Sequence, residues 1–125
     1  MNLSKNLTRN EIVCRCGCGF DRIAPELVET FQAIRDFIGR SMIVTSGCRC
    51  RTHNARVGGV ANSAHITGEG MDLRVEGWAA RFLYQRIQAA HAAGLLPRLQ
   101  YCYIIVDSAV HIGVDKKPRT SIWGG

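Results

Sequence analysis

The segment SAHITGEGMDLRV, residues 63–75, marks the point where the chain changes character. From residue 48 to Gly70 the pattern has no regular hydrophobic period and is rich in Gly, Asn, Ser, Thr and His. Beyond it, Met71, Leu73 and Val75 alternate with Asp72 and Arg74, the period of a strand with one buried face. The spacing predicts a long loop feeding a strand, with His65 leaving the loop and Asp72 lying on the strand. A structureless stretch of that length is uncommon in a small domain and is usually functional or disordered. Arg, His, Asn and Ser interleaved with Gly58, Gly59, Gly68 and Gly70 favour function, because glycine lets backbone turn sharply around a site.

On either side of this segment the periodicity predicts a simple frame. Residues 41–45 read as a strand that runs into a turn at Ser46 and Gly47. Before it, a helix starts near Pro25, where proline suits the first turn and Glu26 the positive end of the dipole; Leu27, Phe31, Ile34 and Ile38 form its apolar stripe and Gly39 ends it. Residues 77–93 predict a second helix with Phe82, Leu83, Ile87 and Ala90 on its apolar face, His91 opposing the dipole in its last turn and Gly94 at its end. Residues 101–106 and 109–114 are β-rich and separated by Asp107 and Ser108, a hairpin. Residues 1–12 read as an extended or loosely packed arm. The expected fold is α+β, two helices packed on a small mainly antiparallel sheet, in a single domain over residues 1–125.

Composition bounds what such a domain does. With 125 residues, 46% of them hydrophobic and 21% charged, the chain is an ordinary globular unit, too short for a two-domain allosteric machine and neither disordered nor fibrous. No apolar run approaches the roughly 20 residues that cross a bilayer. The opening MNLSKNLTRNEIV has no signal-peptide apolar segment, so membrane insertion is not expected and the chain is read as cytoplasmic when synthesised. Sixteen Lys and Arg against ten Asp and Glu leave +6, which favours polyanionic partners such as nucleic acid, an acidic membrane surface or an acidic cell-wall polymer. The basic residues are scattered, with one tight group at Lys116, Lys117 and Arg119, which suits a solvated surface better than a nucleic-acid groove.

Six cysteines are many for this length. Cys14, Cys16 and Cys18 alternate in CRCGC, Cys48 and Cys50 alternate in GCRC, and Cys102 stands alone in an expected strand. Without an export signal a reducing compartment is expected, where such clusters bind metal or stay as thiols. Zinc takes cysteine pairs spaced by two to four residues, so Cys14 with Cys18 fits better than a strict alternation. A second, structural zinc, a disulfide between the clusters and free thiols all stay open.

Three other residues carry the chemistry: His65, Asp72 and His111 in SAVHIGVD, residues 108–115. Two histidines and one carboxylate make a three-ligand zinc site with a fourth position for water, the arrangement of catalytic rather than structural zinc. One carboxylate leaves the site at +1, enough to lower the pKa of a bound water towards ~7.

These residues resemble the zinc D-alanyl-D-alanine carboxypeptidases and related cell-wall endopeptidases, and most nearly their small phage and bacterial branch. The family's Ser-x-His-x-x-Gly-x-x-x-Asp stands here as Ser63, His65, Gly68 and Asp72. Upstream, SGCRCRTHNARVGGVANS is similar to the family's Ser-Gly-x-Arg followed by His-Asn and Gly-Gly, and VHIGVD to its last zinc ligand. EIVCRCGCGF, a helix and then IVTSG extend the likeness over residues 11–115. The resemblance implies His65, Asp72 and His111 as ligands of one catalytic Zn2+ and an arginine near the substrate, which maps onto Arg49. A guanidinium can pair with a substrate carboxylate or stabilise an oxyanion. Ser63 could bond the substrate or a ligand's partner, or only shape the loop, and His53 is expected to bond backbone.

A general base is implied just before the last ligand, and here the sequence departs from the pattern. The residue three before His111 is Ser108, so Asp107, carried back by the hairpin turn, is the first candidate, with Asp115 and Glu69 as rivals. The expected activity is a zinc metallopeptidase cutting peptidoglycan stem peptides, of carboxypeptidase or endopeptidase type. It would be a phage or prophage lysis or wall-remodelling enzyme, monomeric, reaching the wall after release or on a phage particle. The alternative is a non-catalytic phage-structural or wall-binding module that keeps the fold; nucleic-acid binding has little motif support.

Overall fold

The computed structural model describes residues 1–105 and 108–116, and the backbone of 123–124. In chain order it contains β1 (Asn2–Ser4), β2 (Leu7–Thr8), α1 (Arg9–Ile12), α2 (Pro25–Ile38), β3 (Ile43–Ser46), α3 (Arg51–Arg56), α4 (Ala64–Thr67), β4 (Gly70–Arg74), α5 (Ala80–Ala92), β5 (Tyr101–Ile105), β6 (Ala109–Gly113) and β7 (Trp123–Gly124). β1 and β2 pair with each other, and the remaining strands form a sheet in the order β3-β4-β6-β5-β7. All pairings are antiparallel except β5 with β7. The fold is α+β, as the periodicities predict.

α2 and α5 are the two long helices. Pro25 opens α2, and Gly39, at φ 66°, ends it by returning its N–H to the Arg35 carbonyl. Leu27, Phe31 and Ile34 are buried from α2, and Leu83, Ile87 and Ala90 from α5, against Leu73, Cys102, Val110 and Ile112 of the sheet. α5 begins at Ala80 rather than 77, after a turn at Gly77. Phe82 is 46% exposed, its ring edge-on to Trp78 at 4.7 Å, instead of facing the core. It neighbours Leu83 on the helix, and only one of two adjacent positions can face the sheet squarely.

Three further expectations are corrected. The N-terminal arm is extended in β1 and β2, one of its two expected states, but it is not loose: Leu7 and Ile12 are fully buried, and Thr8 and Glu11 close a reciprocal cap at the start of α1. The long loop contains two short helices, α3 and α4, too brief to show a period. β4 is not half-exposed: it lies between β3 and β6, and its residues are buried on both faces through Leu73.

Gly47 joins the arm to the sheet. A side chain there would run into the Ile12 backbone, whose carbonyl accepts from the Cys48 N–H at 2.9 Å. The Cys48 thiol donates to the Ile12 and Phe20 carbonyls, and burial pushes its pKa up to about 11. Burial likewise raises the Cys102 thiol, deep in β5. Both are packing thiols.

Candidate metal centre

The register of the central strands builds one half of the site. Asp72 on β4 lies directly opposite His111 on β6, and both side chains are buried. His111 Nδ1 is 2.8 Å from Asp72 Oδ1. The other half comes from the turn into β4. Ser63 caps α4 by accepting the His65 N–H at 3.2 Å, which fixes His65 in the first turn, and Gly68 ends the helix in the left-handed region at φ 74°. His65 then points its Nε2 to 3.3 Å from the same Asp72 Oδ1.

The tautomer of His65 follows from its other nitrogen. Nδ1 is 2.6 Å from the Gly47 carbonyl, which can only accept, so Nδ1 carries the proton and Nε2 keeps its lone pair for the cluster. The ligand atoms of His65, Asp72 and His111 lie within 4.8 Å of one another. Gly70 leaves the space in which the His111 ring sits: a Cβ there would come within 2.9 Å of Cε1 and 2.8 Å of the Ala64 methyl. Two imidazoles and one carboxylate, buried and convergent, are a donor set that fits zinc.

Charge reinforces the geometry. Burial alone would raise the Asp72 pKa, but hydrogen bonds and charge from His111 and His65 outweigh it and hold the carboxyl well below the usual range. Burial lowers the pKa of His111 against the opposing pull of Asp72. Both shifts favour the forms a cation requires, carboxylate and neutral imidazole.

The cluster forms the floor of an open cavity of about 310 Å³. Arg49 lines it, with Nη2 3.9 Å from Asp72 Oδ2. Its Nε donates to Ser46 Oγ and its Nη1 to Asn54 Oδ1, both at 3.2 Å. Asn54 is itself buried and donates to the Val60 carbonyl at 2.8 Å. Gly59 leaves room for this pair, since a Cβ there would collide with Asn54 and touch Arg49. Tyr103, opposite His111 in register, stacks on its ring at 4.8 Å between centroids, and Tyr101 stacks at 5.5 Å. With Ile105 they make one wall of the cavity.

Sequence reasoning names the three donors, Arg49 and Ser63, and the structure brings all five to one cavity. Sequence reasoning places Asn54, Gly59 and Gly70 in the functional loop without their contacts, and it misses Tyr101 and Tyr103. The alternation of Tyr101 and Tyr103 around Cys102 carries a signal for the last two, because residues two apart on a strand share a face. The rivals for the base lie elsewhere. Asp115 is buried and accepts from the Tyr101 hydroxyl at 2.6 Å, and Glu69 lines two separate clefts, one with Arg98 and Lys116 and one with Arg22. Asp107 lies outside the described residues. His53 sits on α3, away from the cavity lining, with a buried Nδ1 that has no hydrogen-bond partner, contrary to the expected bond to backbone.

An α+β frame converges two histidines, an aspartate and a held arginine on one cavity, and the class this defines is a protein with a candidate metal centre. Residues 5–113 match the family model Peptidase M15, and the chain belongs to that family, the zinc D-Ala-D-Ala carboxypeptidase type. No curated protein matches the chain.

Proposed function

We propose that this protein is a zinc metallopeptidase that hydrolyses peptide bonds in peptidoglycan stem peptides. The bond cut is that of a D-Ala-D-Ala carboxypeptidase or of an L-Ala-D-amino-acid endopeptidase, and the setting is phage or prophage lysis or wall remodelling. The observation that carries this reading is the convergence of His65 Nε2, Asp72 Oδ1 and His111 Nδ1 at the floor of an open cavity, in a chain of the Peptidase M15 family. The net charge of +6 supports attraction to an anionic wall. No helix among the described residues is long and apolar enough to cross a membrane.

His65, Asp72 and His111 would hold the zinc. The chemistry that a bound zinc supplies is Lewis acidity towards a scissile carbonyl and a water. Around it, each side chain has a task its contacts prepare. Arg49, held by Ser46 and Asn54, presents a guanidinium to the cavity, for the carboxylate of a stem peptide or for the oxyanion that forms at the attacked carbonyl. Tyr103 and Tyr101 brace His111 and offer a flat wall to the peptide. Asp107, in the connection from β5 to β6, is the proposed base that takes the water's proton and returns it to the leaving amine. Ser63 acts at one remove, fixing the turn from which His65 projects.

Incubating the zinc-loaded protein with defined muropeptides and weighing the products tests this. Loss of a terminal D-Ala, or a cut after L-Ala, is expected and tells the two types apart. Intact substrate with fully loaded protein would favour a non-catalytic wall module, and an undiminished rate for Asp107→Asn would remove Asp107 from its role.

A further inference from the structure

We propose that Cys14, Cys16, Cys18 and Cys50 form a second, structural zinc centre that staples the N-terminal segment to the loop carrying Arg49. The four sulfurs lie within 4.8 Å of one another, although Cys50 is 32 residues beyond Cys18. Cys14 to Cys16 is 3.5 Å, Cys16 to Cys50 is 3.7 Å and Cys14 to Cys50 is 3.8 Å. A tetrahedral zinc with Zn–S bonds of ~2.3 Å sets its sulfurs ~3.8 Å apart, whereas a disulfide requires ~2.05 Å. The mutual spacing of three sulfurs is that of a coordination sphere.

The surrounding backbone is arranged as it is around thiolates. The N–H groups of Cys50, Phe20 and His53 point at the sulfurs of Cys14, Cys18 and Cys50, each at 3.4 Å. Such bonds stabilise negative sulfur and orient it. Gly17, between Cys16 and Cys18, and Gly19, directly after Cys18, both lie in the left-handed region, at φ 85° and 87°, so the chain reverses sharply on either side of Cys18. This reversal lets an alternating Cys-x-Cys-x-Cys run present three sulfurs to one point, which the usual spacing rule disfavours. Cys48 is excluded: its sulfur bonds two carbonyls as a thiol and does not join the group.

Packing does not account for the cluster. Residues 15–19 are exposed and have no helix or strand, so little buried apolar surface holds Cys16 and Cys18 in place. Binding would convert four thiols to thiolates, release four protons and leave the centre at −2, in a sequence flanked by Arg15, Arg49 and Arg51. Its effect on the fold is local and specific. Cys50 follows Arg49, whose N–H donates to the His65 carbonyl at 2.9 Å, so the staple fixes the strip of backbone that runs beside His65.

The test does not depend on peptidase activity. The variant His65→Ala/Asp72→Asn/His111→Ala, purified without chelator, is expected to hold one zinc per chain by elemental analysis. Loaded with cobalt instead, it should show an intense near-ultraviolet sulfur-to-cobalt band. Cys16→Ser/Cys18→Ser in the otherwise native chain should lose one zinc equivalent. A histidine-site variant with no metal and no such band would overturn the centre, even if the cysteine variant fails to fold. So would a native protein whose denatured, chelated form shows fewer than six alkylatable thiols and a mass short by the hydrogens of a disulfide.

Discussion

The two donor clusters of this molecule are built by opposite means. His65, Asp72 and His111 are buried, two of them facing each other across paired central strands and the third locked by a capped turn. Cys16 and Cys18 stand exposed on a loop without regular structure, and three of the four cysteines lie within five residues of sequence. In the first cluster the core has already placed the donors, so a metal adds reactivity and little architecture. In the second the metal would supply the architecture itself.

The sharpest way to break that contrast is to remove one donor from the buried cluster. Asp72→Asn keeps the shape of β4 but takes away the negative charge on which both imidazoles converge. Hydrolysis of a muropeptide should fall by more than about 100-fold, the scale on which even outer partners of a ligand count. Melting in the presence of zinc should change far less, and the thiolate cobalt band should persist. A large loss of fold with Asp72→Asn would show that the buried centre, too, is architectural.

Next in size is Gly70→Ala. The added methyl meets the His111 ring and the Ala64 methyl at under 3 Å, so the ring must turn or the strand must shift. Overpacking of this kind costs about 1–3 kcal/mol, and kcat should fall more than KM rises because the displaced atom is a donor. Smaller again is Asn54→Ala. Arg49 keeps Ser46 but loses its second anchor, and kcat/KM should fall about tenfold, the order of one hydrogen bond to a charged group. Arg49→Lys, which cannot reproduce the fork, should lose more than Asn54→Ala. The reverse order would mean that Asn54 meets the substrate directly.

The contrast also explains what could be read before the fold was known. α2, α5, β4 and the β5–β6 pair announce themselves because burial repeats at the helical or strand period, and the Ser63 to Asp72 motif carries its own spacing. α3 and α4 span six and four residues, too few for a period, and are held by Asn54 and by caps at Cys50 and Ser63. The arm looks polar because it contributes only Leu7 and Ile12 to the core, both fully buried. The grouping of Cys50 with Cys14, Cys16 and Cys18, and the separation of Cys48 from them, depends on the close approach at Gly47, a tertiary fact with no local signature.

The smallest effect is the pH dependence that the buried cluster confers on metal-stripped protein. His111 is held neutral by burial, so its folded pKa lies below the ordinary value of 6.5. The unfolded chain therefore takes up the His111 proton first on acidification. The stability tied to this shift is fully present above about pH 6.5 and is lost as pH falls towards the folded value, by at most ~1.4 kcal/mol for each unit of displacement. Asp72 has the same sign in a lower window: its carboxylate is favoured in the fold, so its contribution is present above about pH 4 and is lost only below it. Urea midpoints measured on chelator-treated protein should thus decline in two stages. His111→Gln should flatten the upper stage and leave the lower one, now supported by His65 alone, reduced but visible. If the upper stage survives His111→Gln unchanged, the proton belongs to another histidine, and the burial of His111 is not what keeps this centre ready for a cation.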